Sequence, residues 1–262
     1  MNIIRFLLTG TPFYPHWLEF RNADFANEIL YKKFKGKVIE TGCGNGSTKE
    51  RVLKQYGKNI HSYISTDYSS WKTIFEHHNK KSGALGLITS YLYGKSKTTN
   101  SVDRVCNALN LPYKDKTFDT YCAFEVLEHI SDPNKFFSEA GRVLKKGGVC
   151  LISVPFIYRD HGGDTGYDYF RYTKSCLTKL ANKNSFRVNS IVVKSFFGTS
   201  LATIINQYII RKITEGAVPV KILLLVTCPI IFFITNISGL LIDTIDKDER
   251  FATRYHLILT KK

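Results

Sequence analysis

The feature that most constrains this chain is a regular alternation of short apolar runs with amphipathic helical stretches. The first run, KVIET (37–41), ends at a cluster of glycines, as a buried parallel strand does when it enters a tight turn. Strands of this kind are predicted at 37–41, 59–67, 101–108, 117–124, 148–156, 185–193 and 251–259. Because strands that alternate with helices pair through helical crossovers, the pattern predicts a parallel sheet covered on both faces.

One connecting helix can be predicted closely from its end signals. Asp132 is a capping residue, Pro133 suits the first helical position, and Gly147-Gly148 is expected to end the helix. The predicted apolar face consists of Phe136, Phe137, Ala140, Val143 and Leu144.

A cluster of three glycines follows the first strand in VIETGCGNG (38–46). Gly42, Gly44 and Gly46 let the backbone approach a ligand closely, and a helix N-terminus with free N–H groups follows them. Their spacing is GxGxG, which differs from the GxGxxG of dinucleotide-binding turns. The alternative is that the glycines serve only a sharp turn between strand and helix.

An acidic residue, Asp67, ends the second strand about twenty residues after the glycines. At that position a carboxylate can accept hydrogen bonds from both hydroxyls of a ribose. Alone, Asp67 could equally cap a helix, because serines follow it. The two features at this spacing together favour an adenosine-containing ligand.

These motifs resemble those of the class I S-adenosylmethionine-dependent methyltransferases, in particular the type 11 family and its members from surface-polysaccharide gene clusters. The glycine motif and Asp67 match in order, and residues 109–156 match the long central signature of the family. The resemblance covers roughly residues 36 to 196 and the last strand. It implies an α/β fold with a Rossmann-like, doubly wound, seven-stranded sheet whose last strand is antiparallel. It also implies S-adenosyl-L-methionine as the cofactor, and it implies no metal.

The resemblance assigns a cofactor-binding role to seven residues. They are Glu40, Gly42, Gly44, Gly46, Asp67, Asn107 and Ala108. Glu40 would orient the amino group of the methionine part, Asp67 would hold the ribose, and Asn107 and Ala108 would flank the adenine. The family commonly has aspartate where this chain has Asn107, and an amide oxygen can still accept from the adenine amino group.

Candidate catalytic residues lie in EVLEH (125–129) and in the loop after the fifth strand. If Glu125 begins a helical turn, His129 lies on the same face four residues later and the two form an acid/base pair. His161 is the third candidate. Methyl transfer requires mainly proximity and orientation, so a base is optional. The alternative is that these residues shape the cofactor site.

A polar and aromatic group in HGGDTGYDYFRYT (161–173) is the candidate acceptor site. Asp168, Tyr169, Arg171 and Tyr172 follow the fifth strand, where the carboxyl ends of the strands open into the binding crevice. The alternative is structural: Thr173 caps the next helix, and Asp168 and Arg171 form a local ion pair.

An apolar insert separates the sixth and seventh strands. Residues 222–242 carry no charge and are long enough to cross a bilayer. Since the flanking strands are expected to share one sheet, a single crossing is excluded. Two alternatives follow, a re-entrant or in-plane helical hairpin beginning with 202–213 and kinked at Pro229, or a dimerisation element. Basic flanks and the net charge of +15 favour attachment to an anionic membrane surface through residues 202–242.

The predicted organisation has four parts. Residues 1–35 form a helical lead-in, 36–198 the cofactor-binding domain, 199–245 the apolar insert, and 246–262 the strand that completes the sheet. Six cysteines without a CxxC pair favour a reducing compartment, here the cytoplasmic face of the membrane with peripheral or monotopic attachment.

The predicted function is methyl transfer to a glycan, a lipid-linked molecule or a small molecule near a membrane. Methylation of nucleic-acid bases is disfavoured, because residues 123–126 read Ala-Phe-Glu-Val in place of an Asn/Asp-Pro-Pro-aromatic motif. The alternatives are a non-catalytic membrane adaptor that retains the fold and a nicotinamide-dependent oxidoreductase. The GxGxG spacing counts against the oxidoreductase.

Overall fold

The computed structural model describes residues 10–68, 102–160 and 167–262. The strands are β1 (Gly36–Thr41), β2 (Ile60–Asp67), β3 (Arg104–Val105), β4 (Phe118–Phe124), β5 (Leu144–Pro155), β6 (Phe186–Val192) and β7 (Arg254–Lys261). The α-helices are α1 (Trp17–Tyr31), α2 (Ser47–Tyr56), α3 (Pro133–Val143), α4 (Lys174–Lys183), α5 (Phe197–Glu215) and α6 (Val218–Ile245). A 3-10 turn spans Leu127–His129.

The seven strands form one sheet in the order β3-β2-β1-β4-β5-β7-β6, which confirms the predicted fold. Strands β1 to β5 pair in parallel, and β7 runs antiparallel to both β5 and β6. From β1 the sheet continues through β2 to β3 on one side, and from β4 it continues through β5 and β7 to β6 on the other. The carboxyl ends of β1 and β4 therefore flank a topological switch point, where such sheets bind ligands.

Helix α3 confirms the predicted N-terminal signals and corrects the predicted end. The Asp132 carboxylate accepts a hydrogen bond from the Lys135 amide at 2.9 Å, and Pro133 occupies the first turn. The helix ends at Val143, however, and Leu144 already pairs with Phe118 as the first residue of β5. Gly147 and Gly148 lie inside β5, where the left-handed φ of +75° at Gly147 accompanies a register shift against β4.

The insert between β6 and β7 is a helical hairpin formed by α5 and α6, with Pro229 inside α6. The two helices cross at Gly198 and Gly239. A Cβ on Gly198 would lie 2.1 Å from the Gly239 carbonyl oxygen, so only glycine permits this approach.

Buried polar side chains fix the hairpin to the N-terminal segment. The Asn236 amide donates to the carbonyls of Pro12 and Tyr14 at 2.8 and 2.9 Å, and the Asn206 amide donates to Pro15 at 2.7 Å. Asp243 accepts hydrogen bonds from the Thr199 amide and hydroxyl. The predicted lead-in and insert thus pack against each other through satisfied polar contacts.

The outer face of α6 is apolar and exposed. Its 28 residues make it long and apolar enough to cross a membrane, as judged by length and composition. Side chains along it are exposed, including Ile222, Leu223, Val226 at 75%, Ile230 and Ile245 at 88%. A helix packed against a water-soluble core has its apolar side chains buried, whereas many of those of α6 are exposed.

Candidate functional site

The loop after β1 is a cradle of left-handed glycines. Gly42, Gly44 and Gly46 have φ of +69°, +51° and +72°, a region that other residues rarely adopt. A Cβ on Gly42 would lie 2.3 Å from the Val126 side chain, whereas a Cβ on Gly44 would project into open space. Gly46 caps the N-terminus of α2, so free N–H groups face the same side.

Asp67 lies at this loop, as predicted. One carboxylate oxygen accepts the Gly44 amide at 2.9 Å, and the other accepts the Tyr68 amide at 2.7 Å. Open space beside Gly44 and an acidic side chain at the same point fit an adenosine-containing cofactor with ribose hydroxyls. The residues present therefore fit the predicted ligand.

Glu40 lies at the base of the cradle and is buried at 2% exposure. Its carboxylate accepts a hydrogen bond from the Tyr63 hydroxyl at 2.9 Å. Burial raises the pKa of Glu40 to about 7, against the opposing hydrogen bonds from Tyr63 and Thr48. Glu40 can thus both donate and accept near neutral pH, as a group that orients an amino group requires.

Asn107 and Ala108 lie in the turn after β3, beside the end of β2. The Asn107 side-chain oxygen accepts the Leu109 amide at 2.8 Å, so it already stabilises its own turn. Asp103 just before β3 accepts the Ser65 amide at 2.7 Å and the Lys49 ammonium at 2.6 Å. Sequence reasoning missed Asp103, which attaches this turn to the cofactor edge.

The predicted helical pairing of Glu125 with His129 is wrong. Glu125 has a left-handed φ of +55° and precedes the 3-10 turn, so the two side chains do not share a helix face. Glu125 instead accepts a hydrogen bond from the Ser153 hydroxyl at 2.7 Å, with Arg254 Nε 3.8 Å away. His129 contacts the Tyr167 carbonyl through Nδ1. Each residue remains at the carboxyl edge of the sheet, near the cradle.

Glu128 is the functional candidate that sequence reasoning noticed but did not select. Its side chain is fully buried, and neither carboxylate oxygen has a hydrogen-bond partner. Burial, together with the charge of Glu125, raises the pKa of Glu128 well above its usual range. The nearest charged or ionisable contact is the His129 imidazole, whose Nε2 lies 3.7 Å from the carboxylate. A buried carboxyl without a hydrogen bond is costly to stability and is typical of functional sites.

The candidate acceptor residues divide into buried and exposed groups. The Asp168 carboxylate is buried, and it accepts two hydrogen bonds of 2.6 Å from Arg171, which is the local ion pair of the structural alternative. The Tyr172 ring is buried in the core, so it cannot face an acceptor. Tyr169 is 45% exposed, and its role at the acceptor site stays a prediction.

Thr173 caps α4, because its hydroxyl accepts a hydrogen bond from the Cys176 amide. His161, the third catalytic candidate, lies outside the described residues.

Arg254 at the start of β7 completes this edge and was also missed. Its guanidinium donates to Glu19 of α1 at 2.6 Å, and it lies within 4 Å of Glu125. The signal was present, since an arginine in an otherwise apolar strand needs a buried acidic partner. Among the described residues, no group of His, Cys, Asp and Glu has the arrangement of a metal site.

Known families and relatives match the region that carries this geometry. Residues 39–152 match the family described as a methyltransferase domain, type 11. A probable S-adenosylmethionine-dependent methyltransferase of Mycolicibacterium smegmatis is 36% identical over 186 residues, covering 67% of this chain and 63% of the relative. Norajmaline N-methyltransferase of Rauvolfia serpentina is 32% identical over 115 residues, covering 44% of this chain and 34% of the relative. The chain thus spans less than two thirds of the length of these relatives.

Two solved structures with the same fold carry the name of a methyltransferase. A putative sarcosine dimethylglycine methyltransferase from Galdieria sulphuraria has a TM-score of 0.53 at 15% identity, over 92% of this chain and 85% of that one. Geranyl diphosphate C-methyltransferase from Streptomyces coelicolor, solved with S-adenosyl-L-homocysteine, has a TM-score of 0.51 at 14% identity, over 91% and 78%. At such identities the likeness shows the fold alone. Residues 39–152 therefore match the type 11 methyltransferase domain family and have its class I fold, and the cofactor of that family is S-adenosyl-L-methionine.

Proposed function

We propose that this protein transfers a methyl group from S-adenosyl-L-methionine to a glycan, lipid-linked or small-molecule acceptor at a membrane surface. The observation that carries the proposal is the meeting of the open side of Gly44 with Asp67 at the switch point of the sheet. A ligand seated there would lie beside the ends of β1 and β4, within reach of the edge formed by Glu125, Glu128 and Arg254.

When bound, the cofactor supplies an electrophilic methyl group on sulfur. The chain's own contribution is binding and orientation, since in-line displacement depends on holding the two reactants in place. Glu40 orients the methionine end, and Asp67 holds the ribose. Glu125 and Glu128 provide carboxyl groups at the acceptor side, where one can receive a proton from an acceptor hydroxyl or amine.

The membrane setting is supported by the exposed apolar face of α6. Strands β6 and β7 pair in one sheet, so the hairpin begins and ends on the same side of any bilayer. A net charge of +15 favours anionic lipid headgroups. We therefore propose in-plane attachment to the cytoplasmic face, with the outer side chains of α6 among the headgroups and upper acyl chains.

The activity is tested by calorimetry and by an acceptor screen. We expect S-adenosylhomocysteine to bind the full chain, and labelled S-adenosylmethionine to transfer its methyl group to a component of membrane or glycan extracts. Competitive binding of NADH in place of S-adenosylhomocysteine would overturn the proposal in favour of an oxidoreductase. Absence of micromolar binding of either ligand would favour the non-catalytic adaptor.

The attachment is tested by placing a charge on the outer face of α6. Val226→Glu should reduce co-sedimentation with anionic vesicles about tenfold or more, because a carboxylate would enter the apolar layer. Leu53→Glu on α2 is the matched control, since Leu53 is also exposed, at 40%, but lies on the cofactor domain. Equal loss of sedimentation in both variants would point to net charge alone and contradict attachment through the hairpin.

A further inference from the structure

A cavity of about 440 Å³ lies between the turn after β5 and helix α5. Residues 156–159 form one wall, and the other is a stripe of Ile204, Gln207, Tyr208 and Arg211 at helical spacing. The volume is in the range of small-molecule sites, which is roughly 300 to 1,000 Å³. None of the sequence-predicted site residues lines it.

The cavity contains a buried polar group that no protein group satisfies. Gln207 is 5% exposed, and neither its amide nitrogen nor its amide oxygen has a hydrogen-bond partner. The neighbouring Asn206 is equally buried but bonds to Pro15 and Asn236. Leaving a buried amide unpaired destabilises the folded chain, so Gln207 is the residue expected to meet a ligand.

The wall opposite Gln207, formed by residues 156–159, is fixed by hydrogen bonds from Arg171 to its backbone. Arg171 donates to the carbonyl of Tyr158 at 3.3 Å and to that of Arg159 at 2.8 Å. Arg171 is itself fixed by the buried carboxylate of Asp168. This explains the Asp168–Arg171 pair: it shapes the turn that lines the cavity, so both act as positioning residues.

Tyr158 connects the cavity to the acceptor edge of the methyltransferase domain. Its ring is largely buried, and burial raises the pKa of its hydroxyl to about 12, with Glu19, Arg254, Arg159 and Glu125 as its charged neighbours. Glu125 stands at the end of β4, beside the cofactor cradle. A ligand in the cavity therefore has one end toward the reaction edge.

The chemistry of the lining is that of an amphiphile site. Phe156, Ile157 and Ile204 offer apolar contacts. The charged lining residues, Arg159 and Arg211, are both cationic, and Arg211 also donates to Glu215 of α5 at 2.7 Å. A guanidinium pairs well with a phosphate-type oxyanion, and an amide can donate to it as well. Ile204 and Tyr208 are exposed at 49% and 60%, so the apolar side opens on the surface of the hairpin.

We infer that this cavity binds the acceptor, and that the acceptor is a lipid with an anionic, phosphate-type head group. The inference rests on the proposed function, and it narrows the three acceptor classes to one. Gln207 and Arg159 hold the head group, and the face of α5 receives the start of the apolar chain.

Octyl phosphate, used below the concentration at which it forms micelles, is a soluble probe of this site. In calorimetry on the full chain with S-adenosylhomocysteine present, we expect octyl phosphate to bind and octyl glucoside to bind at least about tenfold more weakly. Gln207→Leu and Arg159→Ala should each weaken octyl phosphate binding about tenfold. Arg187→Ala, an exposed arginine of β6, is the matched control and should bind as the parent does.

The results separate this inference from the proposed function. Equal affinity for the phosphate and the glucoside, or unchanged affinity in both cavity variants, would overturn the anionic-lipid site even if S-adenosylhomocysteine binds normally. Loss of S-adenosylhomocysteine binding alone would overturn the proposed function and leave the cavity result standing. Arg159 is exposed, so its variant tests the site without disturbing the core.

Discussion

The methyltransferase domain and the helical hairpin distribute their polar and apolar groups in opposite ways. The domain buries an apolar core around Tyr121, Phe136 and Phe137 and presents its polar loop at the sheet edge. The hairpin buries Asn236 and Asp243 and exposes apolar side chains along α6. The two regions therefore present different surfaces, a polar one on the domain and an apolar one on α6, and the proposed membrane attachment accounts for the apolar surface.

A second difference concerns how well buried polar groups are satisfied. Asn206, Asn236 and Asp243 have hydrogen-bond partners and hold the hairpin to the domain. Glu128 and Gln207 are equally buried and have none. Glu128 follows β4 next to Glu125, and Gln207 lines the cavity between the turn after β5 and α5, so neither side chain holds the hairpin to the domain through a hydrogen bond.

The largest expected effect is in the cofactor cradle. Gly44→Asp should weaken S-adenosylhomocysteine binding more than about a hundredfold, roughly 3 kcal/mol. The substituted residue is strained at a φ of +51°, and its carboxylate would occupy the ligand space beside Asp67. Calorimetry measures the loss.

Gly57→Asp is the matched control for this prediction. Gly57 also has open space around its Cβ position, but it lies at the C-terminal end of α2 with an ordinary φ of −56°. Its binding should equal that of the parent. Normal affinity in Gly44→Asp would show that the glycine loop is not part of the cofactor site, and the polar loop of the domain would then have no binding role.

The second largest expected effect concerns Asn236, which holds the hairpin to the N-terminal segment. Asn236→Leu should lower the free energy of unfolding by about 2 to 3 kcal/mol, because it leaves the buried carbonyls of Pro12 and Tyr14 without donors. Urea unfolding followed by circular dichroism measures the change. Asn182→Leu on the exposed side of α4 should alter stability by less than about 0.5 kcal/mol. A neutral Asn236→Leu would mean that the hairpin is not fixed by these contacts.

The sequence was sufficient for the sheet because its signals are local. Strand runs, the glycine spacing and Asp67 each depend on neighbours along the chain, and all seven strands form where predicted, with ends that differ by a few residues. The Asp132 cap was likewise predicted from short-range chemistry, and the Thr173 cap was the structural alternative for its segment. The prediction that Leu144 belongs to helix α3 is wrong, because its pairing with Phe118 in the sheet outweighs its helical spacing.

The acceptor side could not be predicted because its contacts join distant segments. Glu19 and Arg254 are 235 residues apart, and Asn236 reaches Pro12 across 224. The pattern EVLEH suggested a helical pair, but the left-handed backbone at Glu125 directs the side chains apart. Whether a buried group such as Gln207 has a partner depends on packing, which periodicity does not encode.

The smallest effect concerns Glu128, the unsatisfied carboxyl of the domain. Its pKa in the folded protein is raised above the 4.5 of the unfolded chain, so the folded state retains a proton that the unfolded state releases. The stability that Glu128 contributes is therefore fully present below pH 4.5 and decreases as the pH rises above it. Glu128→Gln, which cannot ionise, should be about 1 to 2 kcal/mol more stable than the parent near about pH 8 and nearly equal to it near about pH 5.

Urea unfolding at the two pH values measures this difference, and Glu50→Gln on the exposed side of α2 is the control. The control should shift stability little and equally at both pH values, because solvent screens its charge in the folded and the unfolded chain alike. If Glu128→Gln were as indifferent to pH as the control, the Glu128 carboxylate would have a hydrogen-bond partner in solution. Of Glu128 and Gln207, only Gln207 would then remain buried without a hydrogen bond. The contrast with the satisfied polar groups of the hairpin would depend on that one amide.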